Sequence, residues 1–166
     1  IKQIPPVAVS VFKNLGYGLA SVPKEDIKLR LQSSATSGTP STVVVDKITS
    51  KRQAKAMVKV MQEFIGKDRK PFLVMDIDPR SEFRSLLGAR FAAITGYLNF
   101  ASKSGFFLKA KNGVSYFDID AIKEYLTTIP SDQPVVVFGF TYIMYSNVLK
   151  AILAKGEKIQ LPKGSK

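Results

Sequence analysis

The 166-residue chain sets 25 lysines and arginines against 13 aspartates and glutamates, a formal charge of +12, and contains neither histidine nor cysteine. Those absences exclude a histidine general base, a thiol nucleophile, a thiolate- or imidazole-bound zinc and a disulfide. The length suffices for a substantial core. The two longest largely apolar runs, 91–101 and 135–145, are 11 residues each, short of the roughly 17 to 25 needed to span a bilayer.

In chain order, the first clear element is a strand, in which Ile27, Leu29 and Leu31 alternate with Lys28, Arg30 and Gln32, the period of a half-buried strand. The β-branched run Val43, Val44 and Val45 predicts a second, more buried one. Between them, residues 33–41 are almost entirely Ser, Thr, Ala, Gly and Pro. Such a loop offers hydroxyls and backbone N–H groups with little bulk to keep an anion away, so it can cradle a phosphate; it can equally be a plain turn.

Thr49 is the expected cap of a helix over 50–65, with Ala54, Met57, Val58, Met61, Phe64 and Ile65 as its buried face and Gly66 as its stop. Lys51, Lys55 and Lys59 form a stripe along it, followed by Lys67, Arg69 and Lys70. This is either a phosphate-facing surface or the solvated face of an amphipathic helix. Residues 72–77 read as a strand ended by Asp78-Pro79. Asp76 and Asp78, two apart, suit either metal ligation on one face of an extended segment or a strand end and helix cap.

Residues 81–101 are expected to be helical in part, interrupted by Gly88 and Gly96. A short strand over 106–108 precedes a hairpin turn at Asn112-Gly113 and a strand over 114–117. Asp118 then caps a helix running to about Thr128. Residues 135–140 read as a buried strand leading through Thr141, a candidate N-cap, into a helix ending at Gly156. This alternation of strands and helices is an α/β pattern. In an open α/β sheet ligands bind beyond the carboxyl ends of the strands, so Gly139, Phe140 and Thr141 are candidate lining residues; alternatively, Gly139 relieves crowding and Thr141 only caps.

The loop Ser34-Ala35-Thr36-Ser37-Gly38-Thr39-Pro40-Ser41 resembles the Ser/Thr-Gly-Thr-Thr-Gly-x-Pro signature of adenylate-forming enzymes. The blocks Ile4-Pro5-Pro6-Val7, Val11-Phe12-Lys13, the Ser-Val-Pro-x-x-x-Ile segment of 21–27, this loop, and then Asp46 and Thr49 follow the order seen in acyl-protein synthetases. These are the component of the bacterial bioluminescence fatty-acid reductase that activates a fatty acid as its adenylate. The resemblance implies part of a three-layer α/β N-terminal domain, use of ATP and Mg2+, a fatty acid or related carboxylate as substrate, and a protein or thiol acyl acceptor or a reductase partner. It assigns Ser34, Thr36, Ser37 and Gly38 to the β- and γ-phosphates, with Thr39 and Ser41 as lesser candidates. It also places Gly139, Phe140 and Thr141 near the acyl and nucleotide pockets.

Ala35 stands where members of that group usually have Gly; its Cβ penalises positive φ and narrows the loop. The expected adenine and ribose motifs, the C-terminal lysine that contacts the adenylate, and the acceptor cysteine have no match. Residues 1–166 are therefore expected to be a single partial domain, inactive alone, with which the opening Ile1 and the basic tail 161–166 agree. The sequence opens with no signal-peptide pattern, which makes cytoplasm the expected location. Two alternatives stand beside this reading: a non-catalytic binding or assembly module, and a basic nucleic-acid-binding domain. The latter rests on charge alone, without an aromatic-interleaved RNA motif or a zinc-finger pattern.

Overall fold

A computed structural model describes residues 5–33, 38–83 and 90–166. The chain divides into two units, Ile1–Met61 and Gln62–Lys166. In the first, helix α1 (Val9–Asn14) and two short 3-10 turns lead into an antiparallel hairpin of β1 (Ile27–Gln32) and β2 (Thr42–Asp46). The register runs from Leu29 opposite Val45 to Gln32 opposite Thr42, and an irregularity between Ile27 and Leu29 leaves Lys28 as the extra residue. Both strands form where the alternation predicts them. Their burial does not follow, because Leu29 is 40% and Leu31 38% exposed and only Val45 of the valine run is buried. A two-stranded ribbon cannot cover its own apolar faces.

Helix α2 (Lys47–Ile65) starts three residues before the expected position. Asp46 is its cap: Oδ1 accepts from the Thr49 N–H at 2.6 Å, and Oδ2 accepts from the Thr49 hydroxyl at 2.8 Å. Thr49 thus answers the cap from inside the first turn. Gly66, at φ +83°, ends the helix, and the Lys70 ammonium donates to the last helical carbonyl, that of Ile65. Of the expected buried face, Ile65 alone is buried, whereas Phe64 is 69% exposed.

The unit Gln62–Lys166 is built on a parallel sheet in the order β4-β3-β7, comprising β4 (Ala101–Phe106), β3 (Lys70–Val74) and β7 (Val136–Phe138). The central strand is covered on both faces, and Phe72, Leu73 and Val74 have no exposed surface. Such strands read as unbroken apolar runs. After β3 come α3 (Arg90–Tyr97) and a 3-10 turn at Leu98–Phe100, and then β4. The helix expected to reach Ala101 therefore stops at Tyr97, and Ala101 opens a strand instead. Gly88 lies outside the described residues.

β5 (Leu108–Lys111) and β6 (Val114–Phe117) form a hairpin at the expected turn, but its first strand, expected over 106–108, runs from Leu108 to Lys111, and Phe106 ends β4 instead. The two-residue turn places Asn112 at φ 52° and Gly113 at φ 76°, the positive pair that a tight hairpin needs. Asp118 caps α4 (Ile119–Thr127) by accepting from the Ala121 N–H at 3.0 Å. After β7 one helical run comprises α5 (Thr141–Ile143), a π-helical stretch (Met144–Leu149) and α6 (Lys150–Lys155), closed by Gly156 at φ 62°. The cap position before α5 is Phe140, without a side-chain bond, so Thr141 is the first helical residue rather than the cap. The tail returns to the sheet: Lys166 donates its N–H to Val135 O and accepts from Val137 N, a parallel bridge on the outer edge of β7. The α/β class expected from the alternation is thus the observed one. No helix among the described residues is long and apolar enough to cross a membrane.

At Gly105, β4 packs closely against its neighbours. A Cβ there would lie 2.5 Å from Phe107 Cζ and 3.0 Å from Tyr125 Cδ2. Gly105→Ala is expected to cost about 1–3 kcal/mol through overpacking, read as a lower urea midpoint with an unchanged slope; an unshifted midpoint contradicts the close approach.

Candidate functional site

The residues expected to form the site fall in two places, one in each unit. The first is the hairpin loop. Its base is closed at residues 33 and 41: Ser33 N–H donates to Ser41 O at 3.1 Å, and Ser41 N–H donates to Ser33 Oγ at 3.0 Å. Ser41 is therefore tied into the hairpin, with its N–H committed. Gly38 sits at φ +92° with open space where a Cβ would project, a conformation that favours glycine. Gly38 and Thr39 are both exposed. Ser34, Ala35, Thr36 and Ser37 lie outside the described residues.

The second place is the carboxyl end of the parallel sheet. From β3 the chain passes to β4 on one side and then to β7 on the other, so the strand order reverses between β3 and β7, the position where open α/β sheets hold ligands. Met75, Asp76 and Ile77 leave β3 here, and Gly139, Phe140 and Thr141 leave β7. Pairing continues beyond the strands through the Met75 N–H, which donates to Phe138 O at 2.8 Å.

The three residues expected to line the pocket are placed differently from one another. A Cβ on Gly139 would meet Met144 Sδ at 2.6 Å, Met144 Cγ at 2.8 Å and Met75 Cβ at 3.1 Å, so glycine lets the following helix close onto β3. Phe140 is half-buried and its ring lies 5.8 Å from that of Phe138, which in turn lies 4.6 Å from Tyr97 of α3. These three rings make an aromatic row at the strand ends. Thr141 is exposed.

Asp76 is fully buried at the end of the central strand. Oδ1 accepts from the Ile77 N–H at 2.9 Å, and Oδ2 lies 3.1 Å from Arg90 Nε at the start of α3. Burial pushes its carboxyl above the usual aspartate range, opposed by the Ile77 N–H and the Arg90 charge. Asp78 is held differently. It takes a two-pronged pair from Arg80, Nε to Oδ1 at 2.9 Å and Nη2 to Oδ2 at 2.8 Å, and the Arg80 bonds hold its carboxyl below the usual range. Each of the two aspartates thus faces its own arginine, and among the described residues no group of three metal-ligating side chains gathers.

Asp76 was singled out from the sequence beside Asp78 as a metal ligand or strand-end residue; its pairing with Arg90, and Tyr97, were not. Arg90 carried no signal, because nothing local ties a residue at the start of α3 to the end of β3. There are also two concavities, one of about 520 Å³ beside Lys24, Lys28 and Arg30, the other of about 540 Å³ between Leu126, Ile129 and Pro162.

A family model described as acyl-protein synthetase, LuxE, matches residues 1–166, the whole chain. No curated protein and no solved structure matches it.

Because the folded state holds Asp76 above its ordinary value of 3.8, it favours the protonated carboxyl. The stability contributed by that form is present below pH 3.8 and is lost as pH rises through the folded value. Asp76→Asn has no proton there to lose. Urea midpoints of the unsubstituted chain are therefore expected to fall relative to those of Asp76→Asn as pH rises from 3.8; parallel profiles would contradict the burial effect.

Proposed function

The chain belongs to the LuxE acyl-protein synthetase family, and from that membership we propose that it serves the ATP-dependent activation of a fatty acid or related carboxylate, followed by acyl transfer to a protein or thiol acceptor. The match over 1–166 is the observation that carries this reading. In the proposed reaction a carboxylate oxygen attacks the α-phosphorus of ATP, the bond to the β-phosphate breaks, and pyrophosphate leaves. The acceptor nucleophile then adds to the acyl carbonyl and AMP departs. For the phosphoryl step a protein contributes mainly position and charge stabilisation.

In this reading the loop on the β1–β2 hairpin holds the phosphates. Ser34, Thr36 and Ser37 supply hydroxyls and Gly38 supplies close backbone approach, with support from its open, left-handed geometry. Thr39 extends the same surface, and Ser41 anchors the loop base. Phe140, with Gly139 and Thr141 beside it, lines the acyl or nucleotide pocket, to which the aromatic row with Phe138 and Tyr97 gives an apolar wall. Mg2+, bound with the nucleotide, would supply charge neutralisation on its phosphates. Asp76 and Asp78 are each engaged by an arginine, so no metal-ligand role is assigned to them.

The proposal includes a cytoplasmic setting, and it takes residues 1–166 as part of a larger N-terminal adenylation domain. The chain alone is then expected to leave acid-dependent pyrophosphate exchange into ATP at background across a panel of fatty acids; robust exchange by residues 1–166 would contradict it. In the complete protein, Thr36→Val and Ser37→Ala are each expected to lower exchange roughly 100- to 1000-fold, the cost of removing one preorganised donor. Ala35→Gly should hold or raise it. Circular dichroism of each variant controls for folding, and unchanged exchange in both Thr36→Val and Ser37→Ala would remove the phosphate role.

A further inference from the structure

The outward face of α2 is unaccounted for by acyl activation. With 3.6 residues per turn, Ile48, Lys51, Arg52, Lys55, Val58 and Lys59 fall on one side of this helix. On the opposite side Ser50, Met57 and Met61 are half-buried, while Phe64 is 69% exposed. On the outward side all four cations are exposed. Ile48 is 65% exposed and Val58 38%. Lys51, Lys55 and Lys59 have no acidic partner within salt-bridge distance among the described residues; on this helix that contact belongs to Lys47, with Asp26.

We infer that this face seats α2 on an anionic lipid bilayer. Charge complementarity requires an anionic partner, since Glu63 is the helix's single acid. The two aliphatic side chains set among the lysines require more than anions. They favour a partner whose charged surface has hydrocarbon just beneath it, which is the chemistry of interfacial helices. A nucleic acid offers phosphates and stackable bases, but this face carries no aromatic side chain to stack on them. The seating is peripheral, in keeping with the absence of a membrane-crossing helix among the described residues. It does not depend on the adenylation reading.

The 166-residue chain is tested by co-sedimentation with vesicles of phosphatidylcholine alone and of phosphatidylcholine mixed with anionic phosphatidylglycerol. Binding is expected on the mixed vesicles only, weakening as salt rises. Each lysine near such a surface contributes about fivefold in partitioning, so the triple variant Lys51→Gln, Lys55→Gln, Lys59→Gln, which keeps good helix formers, should bind about 100-fold more weakly. Ile48→Ser with Val58→Ser should also weaken binding, by about 100-fold if both side chains enter hydrocarbon. Circular dichroism shows whether the helix persists in each. Absence of binding to mixed vesicles, equal binding to both lipids, or full binding by the triple variant would overturn the inference. So would displacement by a short duplex DNA together with unchanged binding of the Ile48/Val58 variant, which would assign the face to nucleic acid.

Discussion

Phe72, Leu73 and Val74 have no exposed surface because β3 hydrogen-bonds to a parallel strand on each edge and is covered on both faces. The other features of Gln62–Lys166 depend on that position. A central strand brings its carboxyl end into a protein environment, so the next polar residue, Asp76, is buried as well. A carboxylate there must find partners or lose its charge. The Ile77 N–H and Arg90 are those partners. A buried ion pair of this kind is a poor source of net stability, since desolvation takes back most of the Coulombic gain. Its clearer consequence is positional: it ties Arg90 of α3 to the end of the central strand, beside the reversal of strand order.

The unit Ile1–Met61 contrasts with this. Val45 is its only buried apolar side chain among the described residues. Local devices carry its order: the Asp46 cap with Thr49, the hairpin register, and the Ser33–Ser41 clasp. Exposed Leu29, Leu31 and Val43 contribute little hydrophobic stabilisation, so this unit relies on hydrogen bonds that net only about 1 kcal/mol each. The candidate phosphate loop hangs from that hairpin, with its clasp keeping the two strand ends together.

Elements with strong local signals were legible in the sequence. The strand β1, though not its alternating burial, the Asn112-Gly113 turn, the Asp118 cap and the Gly66 and Gly156 stops are each stated within a few residues and are observed. β4 was not legible as a strand over Ala101–Phe106, because Ala101-Ser102-Lys103-Ser104-Gly105 lacks β-branched residues and is specified by pairing with β3. The burial of α2 was misread for a related reason, since amphipathic spacing gives the direction of an apolar face but not what covers it. At the sheet end, Gly139 was legible as a residue relieving crowding. The Asp76–Arg90 pair joins positions that only the tertiary fold brings together.

The central claim is that the family's acyl transfer proceeds here through an acyl-adenylate. The most direct measurement supplies the complete protein with ATP and a fatty acid whose carboxylate carries isotopically heavy oxygen, and follows the label by mass spectrometry after transfer to the acceptor. Attack on the α-phosphorus predicts heavy oxygen in AMP and none in pyrophosphate. Heavy oxygen in inorganic phosphate, with ADP as the nucleotide product, would contradict the account.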